Sequence, residues 1–134
     1  MAIQLSVAVR NGRLDAFEVA AGATAKLQIR TGAQPANCGT AASGTLLCEI
    51  TLPSDYMSAA SAGSKAKLGT WTGTAAATGT AAHFRIVDNA GTTCHMQGTV
   101  TATSGGGDME LDNTSIATSQ TVTVNTFTLT DANA

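Results

Sequence analysis

Charge is scarce in this chain of 134 residues: Asp, Glu, Lys and Arg together make up 12 % of it, about half of the roughly 25 % usual in globular domains. Aromatic residues amount to 4 %, and proline occurs only twice. With a net charge of −2 and a pI near 5.5, the chain lacks the basic stripe that phosphate backbones require, which argues against nucleic acid as its main partner. Lys65 and Lys67 form the only tight lysine pair, in SAGSKAKLG, and read as solvated loop residues. Low charge also means that little desolvation opposes self-association or docking on a large protein surface.

Other absences narrow the function. The opening MAIQLSVAVRNGRLD has no basic n-region and its apolar run ends at Arg10, so neither a signal peptide nor a membrane span is expected, and synthesis in the cytosol is. The three cysteines, Cys38, Cys48 and Cys94, cannot all pair within one chain, and no C-x-x-C occurs. A zinc ribbon or a thioredoxin-like site is therefore unsupported. Free, partly buried thiols are the expectation, with a Cys38–Cys48 disulfide left open for an oxidising setting. No G-x-S-x-G elbow is present, and neither histidine has an evident orienting carboxylate, so no catalytic residue is assigned and no enzyme is expected.

What is present is 43 % apolar residues and 14 glycines, with much Ala, Thr and Ser. The apolar content rules out a disordered chain, and the length suits one domain with its own core. Ser6 to Ala20 reads as a helix capped by Ser6 and stopped by Gly22, with Val7, Leu14 and Phe17 on its apolar face. Strand patterns follow at Lys26–Thr31 and at Thr45–Leu52. In the second, Leu46, Cys48, Ile50 and Leu52 alternate inward and Leu47, Glu49 and Thr51 outward. Gly32–Gly44 is a loop by its Pro, Gly and Asn content. Leu68–Thr72 is a brief strand carrying the single tryptophan, and Thr70–Thr80 reads as a surface connection. Met109–Leu111 and Thr121–Leu129 complete the set. In the last, Val122 and Val124 share one parity while Phe127 and Leu129 share the other, which predicts a bulge near Asn125–Thr126. These patterns predict a mainly β protein: an antiparallel β-sandwich or jelly-roll-like domain over 23–134, preceded by an N-terminal helix or arm over 1–22.

Two constellations could carry chemistry. HFRIVDNAGTTCHMQG, from His83 to Gly98, holds both histidines and Cys94. A three-residue loop Asn89–Gly91 sets Phe84 against Met96 and Ile86 against Cys94 on one face, with Arg85 against His95 and His83 against Gln97 on the other; Gly91 takes the left-handed position. The histidines are then diagonal neighbours on the outer face, but a third ligand is missing and Arg85 sits beside them, so no metal is assigned. GGGDMELDN places Asp108, Glu110 and Asp112 on one face of an extended segment. A calcium loop curls around its ion, whereas this run is straight, and an acidic outer face is the expectation. The triple glycine is no phosphate loop, because no helix with Lys-Ser/Thr follows. Tyr56 and Trp71 are the residues suited to stacking on a sugar ring, though a core edge or an interface suits them better.

The blocks VRNGRLDAFEVAAGATAKLQIRTGAQPANC, LCEITLPSDYM, GTAAHFRIVDNAGTTCHMQGTV, GGGDMELDNTSI and QTVTVNTFTLTDAN, in this order, resemble a family of small virion structural proteins of tailed bacteriophages and prophages. The resemblance covers nearly the whole chain and carries no catalytic motif. It implies a virion location and a structural role, and of the family's places a capsid-decorating (cement) role fits best, in which compact β domains clamp neighbouring capsid subunits, sometimes as trimers. The implied partners are the major capsid protein or other virion proteins and further copies of the chain, with no cofactor, no nucleic acid and no membrane. A head–tail or tail accessory position is the alternative within the virion; a glycan- or receptor-binding module is the alternative of another class. Residues 1–22 and the tail Thr130–Ala134 are suited to reach neighbours, and Phe17, Tyr56 and Trp71 are the expected interface anchors.

Overall fold

The structure, a computed structural model, describes residues 3–131. The helix, α1, spans Val7–Ala21. It begins where expected, with the Ser6 hydroxyl accepting from the Val9 N–H at 3.3 Å, and ends at Gly22, whose φ of 81° turns its N–H back to Glu18 O. The strands are β1 (Lys26–Arg30), β2 (Leu46–Thr51), β3 (Ser64–Ala66), β4 (Thr72–Thr74), β5 (Gly79–Thr80), β6 (His83–Val87), β7 (Cys94–Ala102), β8 (Met109–Leu111), β9 (Ser115–Ile116) and β10 (Thr121–Thr130). The main sheet runs β2-β1-β6-β7-β8-β10-β3, with β4 also paired to β10; β5 and β9 form a separate ribbon. The sheet curls until β4 faces β2. A Cβ on Gly73 would lie 2.9 Å from Ile50 Cγ1, and the Ala76 N–H donates to Leu47 O at 2.7 Å.

The protein is therefore mainly β with one N-terminal helix. The sheet is mixed rather than wholly antiparallel, because β7 and β8 run parallel, with Val100 opposite Met109. Parallel neighbours usually need a long crossover; here the chain doubles back through Gly105-Gly106-Gly107 against its own strand. A Cβ at Gly105 would meet Thr101 Cβ at 2.6 Å, and one at Gly107 would meet Thr101 Cγ2 at 2.9 Å. The triple glycine is thus a close-approach device for a very tight return.

Three bulges set which side chains enter the core. The expected one falls at Asn125, between the pairs Val124↔Leu111 and Thr126↔Glu110. A second lies at Leu47, where Ile29 pairs with Cys48 but Arg30 with Leu46. It buries Leu47 and Cys48 in succession and turns Leu46 to the side of Arg30, correcting the strict alternation expected there. The third is at His95: Ile86 pairs with Met96, Val87 with Cys94. Each extra residue switches the faces of everything beyond it.

Thr70–Thr80 is not a surface connection. Trp71 is fully buried, β4 and β5 lie in this run, and Ala75 packs in the core. The core carries all the aromatic residues of the chain in one chain of contacts. Phe17 meets Tyr56 at 6.3 Å between ring centroids and Tyr56 meets Trp71 at 6.3 Å; Trp71 meets Phe127 at 5.6 Å and Phe127 meets Phe84 at 5.4 Å. Three of the four contacts are edge-on, the arrangement that the ring quadrupole favours. Few aromatics suffice because each is shared between two neighbours or ends the row.

The helix is docked on this body by its charged side. Lys65 of β3, only 1 % exposed, donates to Asp15 Oδ1 at 2.7 Å and to Ser58 O at 2.7 Å, and pairs with Glu18 Oε2 at 2.5 Å. Asp15 and Glu18 also accept the N–H groups of Ala60 and Met57, and Asn11 accepts that of Gly63. Arg10 donates to Asp131 O at 3.0 Å. Leu14, Phe17 and Ala21 supply the apolar part of the contact.

Candidate functional site

The histidine hairpin differs from its expected register in a way that rewrites the site. Asp88 Oδ1 accepts the N–H groups of Thr92 (2.8 Å) and Thr93 (3.2 Å), and the Gly91 N–H reaches Asp88 O. The loop therefore has four residues, Asn89–Thr92, not three. Gly91 takes a φ of 77°, as expected. Asp88 now lies opposite Thr93, Phe84 opposite Gly98, Arg85 opposite Gln97 and His83 opposite Thr99. His83 and His95 are no longer diagonal neighbours. The bulge at His95 carries Cys94 to the outer face with Arg85, away from Phe84 and Ile86. The missed signal was Asp88-Asn89-Ala90-Gly91, with Asp at the first and Gly at the last position of a type I turn.

The outer face of β1, β6 and β7 is also not solvent-facing. Loop 32–44 lies across it, suspended by side-chain donors from the strands. The His83 Nδ1–H donates to Gly32 O at 2.8 Å and Gln97 Nε2 to Pro35 O at 2.6 Å. Arg85 donates through Nη2 to Cys38 O at 2.9 Å and through Nη1 to Thr40 O at 3.0 Å. Every residue of β6 is consequently buried, so the expectation of exposed His83 and Arg85 fails by the presence of a lid rather than by wrong parity. The other ring nitrogen, His83 Nε2, is buried without a partner.

Beneath residues 38–42 of this loop is a cavity of about 290 Å³. Gln28, Arg30, Cys38, Thr40, Arg85 and Cys94 supply its polar lining. Cys38 and Cys94 line the same cavity, the Cys94 thiol donating to Met96 O at 3.3 Å, and burial first, then the neighbouring Cys94 thiol, pushes the Cys38 thiol up to about 11. Burial also raises Cys48, which lies in the core away from this pair. The three thiols are free, and the neighbour of Cys38 is Cys94 rather than Cys48.

A second cavity, about 440 Å³, opens where β8 ends. Below Met109 nothing pairs β7 to β10, and the gap is floored by Phe84, Met96 and Phe127 with Asp108 and Thr130 at its rim.

The acidic run does not converge on an ion. Asp108 Oδ2 accepts from the Thr99 N–H and hydroxyl, Glu110 Oε1 from the Thr126 hydroxyl, and Asp112 Oδ1 from the Asn113 and Thr123 N–H groups. Each carboxylate ties down a different piece of backbone or a neighbouring hydroxyl. Among the described residues no group of three or more His, Cys, Asp or Glu side chains is placed to hold a metal.

The structure places Tyr56 and Trp71 inside the aromatic row, with 1 % and 0 % exposure, where neither offers a face to a partner. Their polar atoms are used internally: the Tyr56 hydroxyl donates to Gly22 O and the Trp71 indole N–H to Leu68 O. Phe17 is half-buried against the same row. The exposed large apolar residues are instead Ile3, Val7, Val9, Val19 and Leu68, four of them in or just before α1. Of the termini expected to reach neighbours, residues 1, 2 and 132–134 lie outside the described part. No helix among the described residues is long and apolar enough to cross a membrane. No protein-family model, no curated protein sequence and no solved structure matches this chain.

Proposed function

We propose that this protein is a non-catalytic structural component of a tailed-phage virion, acting as a capsid decoration protein that bridges capsid subunits and opposes the outward pressure of packaged DNA. Its partners in this reading are the major capsid protein or another virion protein, and further copies of itself, a trimer among the possible assemblies. The observation that carries the reading is the outer side of α1, which is built mostly from small and aliphatic residues rather than the charged ones usual on a surface helix. Arg10, Asn11, Asp15 and Glu18 hydrogen-bond the body beside the buried Leu14 and Ala21, while Ala8, Val9, Gly12, Ala16 and Val19 face outward, Val19 84 % exposed. Arg13 is the charged residue among them, its side chain 61 % exposed and paired with Asp131. Ile3, 82 % exposed, precedes the same helix. A folded domain that ties most of its helix charges to its own body and leaves a ridge of small and aliphatic residues outside, with Arg13 its one charge, is suited to lie flat against another protein.

A head–tail or tail accessory place would use the same ridge. Copy number separates the two: densitometry of purified particles should find this chain in amounts comparable to the major capsid protein. A count on the order of six or twelve, as ring symmetry at a neck or tail gives, would move the role there. Stacking on a glycan through Trp71 or Tyr56 has no support from the fold, since both rings are enclosed.

A further inference from the structure

We infer that the cavity beneath residues 38–42 binds a small dianionic oxyanion, inorganic phosphate or the phosphate end of a small monoester, between the guanidinium groups of Arg30 and Arg85. The inference does not depend on the virion role.

The charge balance leads to it. Arg85 is 4 % exposed, and its identified partners are two backbone carbonyls, Cys38 O and Thr40 O. Among the described residues neither Arg85 nor Arg30 forms an ion pair with a carboxylate. A buried guanidinium is normally paired, because an uncompensated charge in a low-dielectric site is costly. The two cations line the same cavity, and burial first, then repulsion from Arg85, lowers the Arg30 pKa, with Glu49 opposing both. Glu49 is committed elsewhere, 3.6 Å from Lys26 Nζ and accepting from Gln28 Nε2. The carboxylate at the hairpin end, Asp88, is folded onto the Thr92 and Thr93 N–H groups. Cys38 adds no negative charge near neutral pH, since its thiol is pushed up to about 11.

The cavity thus presents two positive charges and no carboxylate lining it. A guanidinium uses two N–H groups on two carbonyls and retains three more. Arg30 holds its plane by Nε and Nη2 on Gln28 Oε1, with Nη1 toward Ser43 O and Gly44 O. Thr40 and Thr92 also line the cavity, but their hydroxyls donate to Asn37 Oδ1 and to the Asp88 carboxylate, so the guanidinium groups are the donors for a ligand. Two forked cations match a tetrahedral dianion in charge and in donor type, whereas a carboxylate would balance only one. A volume of about 290 Å³ admits phosphate or a short monoester.

The test is titration calorimetry and thermal melting of the full chain with inorganic phosphate, glycerol phosphate, acetate and chloride at matched ionic strength. Saturable one-to-one binding of phosphate is expected, raising Tm by on the order of 8 °C at about a hundredfold excess over Kd. Tighter binding of glycerol phosphate would identify the monoester as the natural source; tighter binding of inorganic phosphate would identify the free ion. Arg30→Gln, on a half-buried side chain, should keep the fold and weaken binding at least about tenfold. Arg85→Lys, which keeps a charge but loses the fork, provides a second variant with the same expectation. Absence of saturable binding, an equal effect of acetate or chloride, or unchanged affinity in Arg30→Gln would each overturn the proposal.

Discussion

The ammonium group of Lys65 lies 2.7 Å from Asp15 Oδ1, joining β3 to the middle of α1 through a side chain almost wholly removed from solvent. This contact, with Glu18, fixes which side of the helix faces the body, and so which side faces out. Lys65→Ala should destabilise the fold by about 2 kcal/mol, chiefly through the space left by the buried lysine stem, since the Asp15 and Glu18 carboxylates it leaves are partly exposed. Lys65→Met, which refills the space, should cost less. Urea unfolding of both variants checks this.

The same clamp has a pH signature. The hydrogen bond from Lys65, then that from the Ala60 N–H, holds Asp15 below its ordinary 3.8. A carboxylate lowered on folding adds stability that is present above its unfolded pKa and lost as pH falls through the folded one. Burial opposes the charge on Lys65, but the bonds to Asp15 and Glu18 outweigh it and raise its pKa above 10.5. That contribution is complete below 10.5 and disappears as pH rises through the folded value. Tm should therefore fall on both flanks, below about pH 4 and above about pH 10. In Lys65→Met the alkaline fall should be smaller but not abolished, because burial also raises the pKa of Tyr56 (to about 12), Cys38 (to about 11) and Cys48, and their contributions are lost in the same direction.

Trp71 and Phe127, 5.6 Å apart, are the middle of the aromatic row. Trp71→Ala should cost about 4 kcal/mol, at the upper end for buried side chains, and Phe17→Ala about half that because Phe17 ends the row half-exposed. Tryptophan emission of the native protein should be blue-shifted and should move to the red in one cooperative step on unfolding.

The hairpin loop makes a local prediction. Gly91 has space for a Cβ but a φ of 77°, so Gly91→Ala should cost about 1 kcal/mol through backbone conformation alone. Asp88→Ala removes the acceptor of two loop N–H groups and should lower Tm as well. The Asp88 pKa is lowered, mainly by the Thr92 N–H and then by that of Thr93. The Tm difference between wild type and Asp88→Ala should therefore be present near neutral pH and vanish as pH falls through the folded Asp88 value.

Thiol chemistry distinguishes the cysteines. Cys48 should resist a thiol reagent until the protein unfolds, whereas Cys38 and Cys94 react slowly in the native state, since burial keeps Cys38 protonated. Oxidised glutathione should yield a Cys38–Cys94 cross-link by exchange, and peptide mapping should find none to Cys48.

Much of this fold is legible in the sequence: the helix with its Ser6 cap and Gly22 stop, loop 32–44, the core role of Cys48 and the bulge at Asn125. The Asn125 bulge shows because strong apolar residues flank it on both sides and their parity changes. At Leu47 the two leucines satisfy either parity, and at His95 the flanking Cys94 fits either face, so neither bulge leaves a mark. The cavity of Arg30 and Arg85 was hidden for a different reason. A polar residue on an outward parity reads as solvated, and only a loop distant in sequence, folded across it, makes it buried. The inward engagement of Asp15 and Glu18 is likewise invisible, since they find their partner at Lys65, fifty residues away in the case of Asp15.

The central claim is that the outer ridge of α1 seats this protein on a virion. Its most direct test is electron cryo-microscopy of purified particles. In the proposed role this domain is present at copy numbers comparable to the major capsid protein, with Val9 and Val19 buried against a capsid subunit or a second copy of the chain. A particle in which the domain is absent, or in which that ridge faces solvent while another surface makes the contact, would contradict it.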